Sequence, residues 1–438
     1  MFYSNTSKPA GIPSAGVSTR GPHMPRTIHR VVITGVGAVT PIGNTVADFW
    51  EGLSTGRNGI ARLTLHDPEP LPVQIVGEVK QFDPEAYMDR KTARRTGRFA
   101  QFALATATQA LEDSGLGRPE PGTLRDDIGV IMATSGGAFD MGEPWLEMHT
   151  KGANRADPMI VARLGGHMGA ARVGRELGLR GPNSTINTAC ASGTDALGHA
   201  MNLIRLGHVR ALLAGGAESI IAPLALASMG RMGALSHNNA DPDHASRPFD
   251  RTRDGFVLGE GAGVLMLESE ESALARGARI YCELAGVGWA FDAVDDSSPD
   301  AAGQALAIRR AIEDAGLRPE DVDYINAHGT STPLNDKTET AAIKLALGAH
   351  AYRIPISSNK SMTGHLAAAA GGIEAVASVL TMLHGCLPPT INYVTPDPEC
   401  DLDVVPNVAR LATPRVVLSN SFGLGGQNAS AVFVRYEP

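Results

Sequence analysis

The feature that most constrains the fold is an internal repeat. Ala110–Leu116 reads ALEDSGL and Ala311–Leu317 reads AIEDAGL, 201 positions apart. Each copy is followed by Arg-Pro-Glu and then by a β-rich run, IGVIMATSGG in the first half and VDYINAHGTS in the second. Each copy also closes a helix-like pattern; in Phe99–Leu116 the apolar spacing is helical, and Gly115 supplies the C-terminal stop. Helix alternating with strand in this order predicts α/β layers with mostly parallel strands. The chain of 438 residues exceeds the usual size of one domain, so two similar α/β halves are the simplest account. A small-residue turn entering a helix occurs in both halves. It holds Cys190 in the first and His365 in the second, and the repeat would let the two turns face each other.

His29–Gly43 (HRVVITGVGAVTPIG) reads as a buried strand and a glycine turn. Gly35 and Gly37 resemble the start of a dinucleotide fingerprint. The third position is Thr40, followed by Pro41, and no clean helix opens there, which favours a tight turn over a nucleotide site. Residues 1–26, rich in Ser, Pro and Gly, read as a disordered leader or a segment carried over from expression. The expected halves are then 27–272 and 273–438.

Composition excludes several functions. A net charge of −8 gives no global basis for nucleic-acid binding. No uninterrupted apolar run has the length of a membrane span. The four cysteines (Cys190, Cys282, Cys386 and Cys400) form neither a disulfide framework nor a zinc spacing, and fit a reducing cytoplasm.

Four stretches carry candidate chemistry. In NTACASGTDA (Asn187–Ala196), Cys190 falls between a short strand and a helix. The positive potential of a helix N-terminus favours a thiolate and predicts a lowered pKa. A buried structural cysteine is the alternative. His328, in NAHGTSTPLND, and His365, in NKSMTGHLAAAAGG, each stand at a glycine-bordered junction, and a cysteine with histidine partners is the pattern of acyl transfer. Lys360 and Glu374 flank His365 and would set its charge environment, or else form an exposed pair of little value. In LSNSFGLGGQNASAVFV (Leu418–Val434), the glycines around Leu424 would bring backbone N–H groups to a ligand, or simply turn a hairpin.

Together these segments resemble the elongating β-ketoacyl-acyl-carrier-protein synthases. Five motifs occur in the family's order: NTACASG at Cys190, RPFDRTRDGFVLGEGAG (Arg247–Gly263), NAHGTSTPLND at His328, NKSMTGHLAAAAGGIE (Asn359–Glu374) and NSFGLGGQN (Asn420–Asn428). The resemblance spans the chain from about His29 to its end. It implies a thiolase-like fold, two duplicated halves in a five-layered αβαβα arrangement, working as a homodimer in the cytoplasm. Cys190, His328 and His365 match the family's catalytic set, with Lys360 and Glu374 orienting the His365 environment. The backbone N–H groups of Cys190 and Leu424 match its oxyanion hole. Thr330 and Thr332 match the hydroxyls that bind the pantetheine arm. The histidine in the second-half turn separates this branch from thiolases, which use a second cysteine, and from initiating synthases, which use asparagine.

The implied reaction is decarboxylative Claisen condensation in fatty acid synthesis. Cys190 takes an acyl chain from acyl carrier protein; malonyl carrier protein then enters, loses CO2 and extends the chain by two carbons. No cofactor or metal is expected, since phosphopantetheine arrives on the carrier. The carrier is acidic in this family. The basic run Met88–Arg98, with Lys91, Arg94 and Arg95 at the family's docking positions, would meet it, with Arg251 and Arg253 adding to the patch; a solvated helix face is the alternative.

Two departures bear on the acyl pocket. Most bacterial fatty-acid members read FGFGG where this chain reads FGLGG, so Leu424 replaces a gating phenylalanine after Phe422. Ser135 aligns with a bulkier apolar residue that shapes the pocket in some members. Both would leave room for long, branched or rigid chains. This keeps open a discrete ketosynthase of a polyketide or specialised fatty acid pathway, while Cys190 argues against a non-catalytic, carrier-binding subunit.

Overall fold

A computed structural model describes residues 28–437, except 121, 138, 140, 141 and 297. The expected leader, 1–26, lies outside the described residues. The repeat seen in the sequence is the plan of the molecule. Strand β1 (Val31–Val39) leads to helix α1 (Arg98–Asp113), β2 (Ile128–Ala133), α2 (Met168–Glu176), β3 (Asn183–Ile186), α3 (Ser192–Arg205), β4 (Ala211–Glu218) and β5 (Gly261–Ser269). The same order then recurs: β6 (Cys282–Phe291), α4 (Ala301–Asp314), β7 (Tyr324–Asn326), α5 (Pro333–Leu347), β8 (Ile356–Ser357), α6 (Ala370–His384), β9 (Val416–Phe422) and β10 (Gln427–Arg435).

Strand order repeats as well. The first set runs β3-β2-β4-β5-β1 and the second β8-β7-β9-β10-β6. In the first, β2 pairs parallel with β3 and β4, and β5 pairs antiparallel with β4 and β1. The second repeats this, with β7 parallel to β8 and β9, and β10 antiparallel to β9 and β6. A brief pairing of Val32 with Glu283 and Ile33 with Cys282 joins the two sets at β1 and β6.

Five layers follow from what the helices touch. Helices α1 and α2 cover the outer face of the first set, and α4 that of the second, with α5 packed against α4. Helix α3 packs on β4 and β2 of the first and β6 and β10 of the second; α6 likewise touches strands of both. Strands covered on both faces must be apolar throughout, and β1 and β5 are buried at all nine positions each. The expectation that no segment has the length of a membrane span is corrected at one place: Ala367–His384, which ends in α6, is long and apolar enough to cross one, and 89% of it is buried inside the protein.

The Gly35–Gly37 pair belongs to this packing. A Cβ at Gly35 would lie 2.1 Å from the Ala110 carbonyl oxygen, and one at Gly37 2.0 Å from that of Thr106, both on α1. The second half repeats the device on β6, where a Cβ at Gly288 would lie 2.2 Å from the Ala307 oxygen of α4. The glycines seat a helix on a sheet, which removes the dinucleotide reading.

Candidate active site

The two equivalent turns meet between the halves. Cys190 stands between β3 and α3, and His365 between β8 and α6. The cysteine turn is strained and pinned. Ala189, one residue before it, has φ +50°, in the left-handed region. Ser192 Oγ accepts from the Thr188 N–H at 2.7 Å and donates to the Ala189 carbonyl. Thr188 Oγ1 donates to Asp195 at 3.0 Å, and Asp195 also accepts from the Trp289 indole N–H at 2.8 Å.

His365 Nε2 lies 3.1 Å from Cys190 Sγ. The rings of His328 and His365 meet edge to face, their centroids 5.3 Å apart. Phe256 packs edge-on against His365, and Phe422 against His328. Burial, then the Lys360 charge, holds both imidazoles well below the usual histidine range, so both are neutral. Burial pushes the Cys190 thiol up, against the Leu424 N–H, the Lys360 charge and its own N–H. The expectation of a lowered thiol pKa is therefore corrected: desolvation outweighs the two N–H groups and the Lys360 charge. The resting pair is a neutral thiol beside a neutral imidazole, with His365 Nε2 placed to take the thiol proton.

Lys360 also differs from expectation. It contacts Glu374, but the pair is buried, with side chains 2% and 1% exposed, and so is not a surface pair. Its ammonium lies 3.4 Å from His328 Nδ1, so it serves His328 directly rather than His365. Strand pairing explains this. Ser357 registers with Asn326 on the parallel β8 and β7, and the chains run on side by side to Lys360 and His328. A donor at Nδ1 assigns the His328 ring proton to Nε2.

Two buried carboxylates escaped the sequence reading. Glu339, on α5, accepts the backbone N–H groups of His328 at 2.8 Å and Gly329 at 2.7 Å, and so fixes the histidine loop. Burial pushes its carboxyl up to about 7 against those hydrogen bonds. Glu218, at the end of β4, accepts from Thr134 Oγ1 and from the N–H and hydroxyl of Ser135. The signal for Glu339 was present: Asp336, Glu339 and Thr340 share the buried face of α5.

A cavity of about 480 Å³ opens onto this cluster, lined in part by Cys190, His328, His365, Thr330, Thr332 and Leu424. Thr330 and Thr332 hydrogen-bond each other at 2.9 Å, and Thr332 also caps α5. Leu424 heads the turn between β9 and β10, so the loop is both hairpin and N–H donor. Phe422 is buried against His328, while the Leu424 side chain is 59% exposed. Ser135 is corrected: its hydroxyl is held by Glu218, and it does not line this cavity.

Of the basic residues, Lys91, Arg94 and Arg95 are exposed on and just after the short helix Arg90–Arg94. Arg251 is exposed too. Arg253 is not: its side chain is 4% exposed and paired with Asp397 at 2.5 Å and Asp336 at 3.6 Å. It also donates to the carbonyls of Thr332 and Pro333. It is a structural brace beneath the threonine loop, and leaves the docking set.

Comparison with known proteins covers nearly the whole chain. Residues 29–273 match the beta-ketoacyl synthase N-terminal domain and 281–394 its C-terminal domain. A 3-oxoacyl-[acyl-carrier-protein] synthase 2 of Synechocystis sp. is 49% identical over 411 residues, 93% of this chain and 98% of the relative. One of Staphylococcus aureus is 45% identical over 411 residues, 93% of this chain and 99% of the relative. Among solved structures, the ishigamide ketosynthase/chain length factor aligns with a TM-score of 0.88 at 38% identity, covering 94% of this chain and 100% of that one. A type II polyketide ketosynthase, solved with its acyl carrier protein and bound to the hexaketide, aligns at 0.85 and 36%, covering 93% and 100%.

Proposed function

The chain belongs to the β-ketoacyl synthase family, and from that membership and the site we propose that it is an elongating 3-oxoacyl-acyl-carrier-protein synthase of fatty acid synthesis. The observation that carries this reading is Cys190 Sγ, 3.1 Å from His365 Nε2, inside a cavity that also presents His328 and the Leu424 N–H.

As the Cys190 thiol attacks an acyl thioester, its proton passes to His365. The tetrahedral oxyanion is held by the N–H groups of Cys190 and Leu424. Collapse expels the carrier thiol, which takes the proton back from His365, and leaves an acyl-Cys190. Malonyl carrier then enters. Loss of CO2 leaves its electron pair on the thioester enolate, whose oxygen is met by the neutral Nε2–H donor of His328, with His365 beside it. The enolate carbon attacks the acyl-Cys190 carbonyl, the Cys190 thiolate leaves, and the product is two carbons longer.

The partner is acyl carrier protein carrying acyl and malonyl groups on phosphopantetheine. Its docking surface is Lys91, Arg94 and Arg95, with exposed Arg251 adding to the positive charge. Thr330 and Thr332 hold the arm. The enzyme works as a cytoplasmic homodimer with no metal or nucleotide cofactor. The test is condensation in vitro: acyl and malonyl carrier protein should yield CO2 and a β-ketoacyl carrier in equal amounts. CO2 release without chain extension would contradict it.

A second reading, a ketosynthase of a polyketide or specialised fatty acid pathway, is favoured by exposed Leu424 at the gate position. A donor profile dominated by branched or oxygenated chains would select it.

A further inference from the structure

Gln304 lies in the wall of the Cys190 cavity, on the first turn of α4. It is fully buried, at 0% exposure, yet its side-chain oxygen and nitrogen both lack a hydrogen-bond partner among the described residues. Burying an unpaired carboxamide is costly, and native proteins carry few such groups. Its polar neighbours in the same wall are already engaged. Asp292 accepts from Asn428 Nδ2 at 2.6 Å and from the Asp300 N–H at 3.2 Å. Asn428 donates a second bond to the Gly426 carbonyl at 3.3 Å. Gln304 is a buried carboxamide in this wall with neither polar atom paired among the described residues.

A plain hydrocarbon chain has no use for such a group. A carboxamide offers one acceptor and two donors, which fits a neutral oxygen function, an amide or a hydroxyl. The Asp292 and Asp296 carboxylates in the same wall disfavour an anion. We propose that Gln304 is a hydrogen-bonding subsite for a neutral oxygen function of the thioester substrate, supplied either by the amides of the pantetheine arm or by an oxygen substituent on the acyl chain. The inference rests on the synthase reading and deepens it.

The test uses four acyl donors: octanoyl and 7-hydroxyoctanoyl chains, each as a thioester of pantetheine and of a small alkanethiol that lacks amides. The rate constant kcat/KM for acylating Cys190 is measured in the wild type and in Gln304→Met and Gln304→Asn, the latter withdrawing the carboxamide by one methylene. The wild type should prefer pantetheine over alkanethiol, or hydroxylated over plain chains, and both variants should lose about tenfold of that preference. Loss of the first preference assigns the arm, and loss of the second the chain. Preferences unchanged by the variants, as for a side chain satisfied by water alone, overturn the proposal. So does a wild type with neither preference, which needs no variant to fold. A wild type that acylates Cys190 from none of the four donors overturns the synthase reading instead.

Discussion

Replacing Glu339 by Gln isolates the group that positions His328. The carboxylate accepts two backbone N–H groups, from His328 at 2.8 Å and Gly329 at 2.7 Å. Burial nonetheless pushes its carboxyl from 4.5 up to about 7. The folded protein therefore binds this proton more tightly than the unfolded chain. The stability it contributes is full below about pH 4.5 and is lost as pH rises to about 7. Across that window the loss comes to about 3 kcal/mol. Glutamine cannot ionise, so Glu339→Gln removes this slope. Its amide has one acceptor oxygen, so one of the two N–H groups loses its partner, at about 1–3 kcal/mol. The variant should be the less stable protein near pH 5, with the gap closing or reversing by pH 8. Urea midpoints at half-unit steps from pH 4.5 to 8 read this directly. A gap that does not change with pH would refute the reasoning. The same variant should slow malonyl decarboxylation, which uses His328, more than acylation of Cys190, which uses His365. Equal losses would mean Glu339 supports the fold alone.

Three further outcomes follow from the geometry. Arg253→Ala leaves Asp397 and Asp336 buried without their cation; unfolding should cost about 3–5 kcal/mol less, while the salt dependence of KM stays as in the wild type. Alanine at Lys91, Arg94 and Arg95 together should raise KM for carrier-bound substrates severalfold and flatten its salt dependence, with pantetheine thioesters unaffected; equal effects on both donors would count against docking there. Leu424→Phe should narrow the range of accepted chains, read as a lowered kcat/KM for branched relative to straight donors, and an unchanged profile would contradict a gating role for that position.

Much of this was legible because the chemistry is local to the chain. The repeat of ALEDSGL and AIEDAGL marks the ends of α1 and α4, and the duplicated order of strands and helices follows from it. Cys190, His328 and His365 stand in small-residue turns whose composition advertises close approach. What was misread depends on contacts between distant segments. Lys360 is five residues from His365 in sequence, but the β7–β8 register sets it against His328. Arg253 reads as one more surface cation until the fold surrounds it with Asp336 and Asp397. The thiol pKa turned on burial, which a helix N-terminus does not reveal. Ser135 reads as a pocket residue, while its hydroxyl is held by Glu218 at the end of β4.

The central claim is that Cys190 carries the acyl chain between two half-reactions. Intact-protein mass spectrometry after mixing with acyl carrier protein, without malonyl carrier, tests it most directly. The account predicts one acyl mass per chain, mapping to Cys190, absent in Cys190→Ala and discharged when malonyl carrier protein is added. An adduct on another residue, or chain extension by Cys190→Ala, would contradict it.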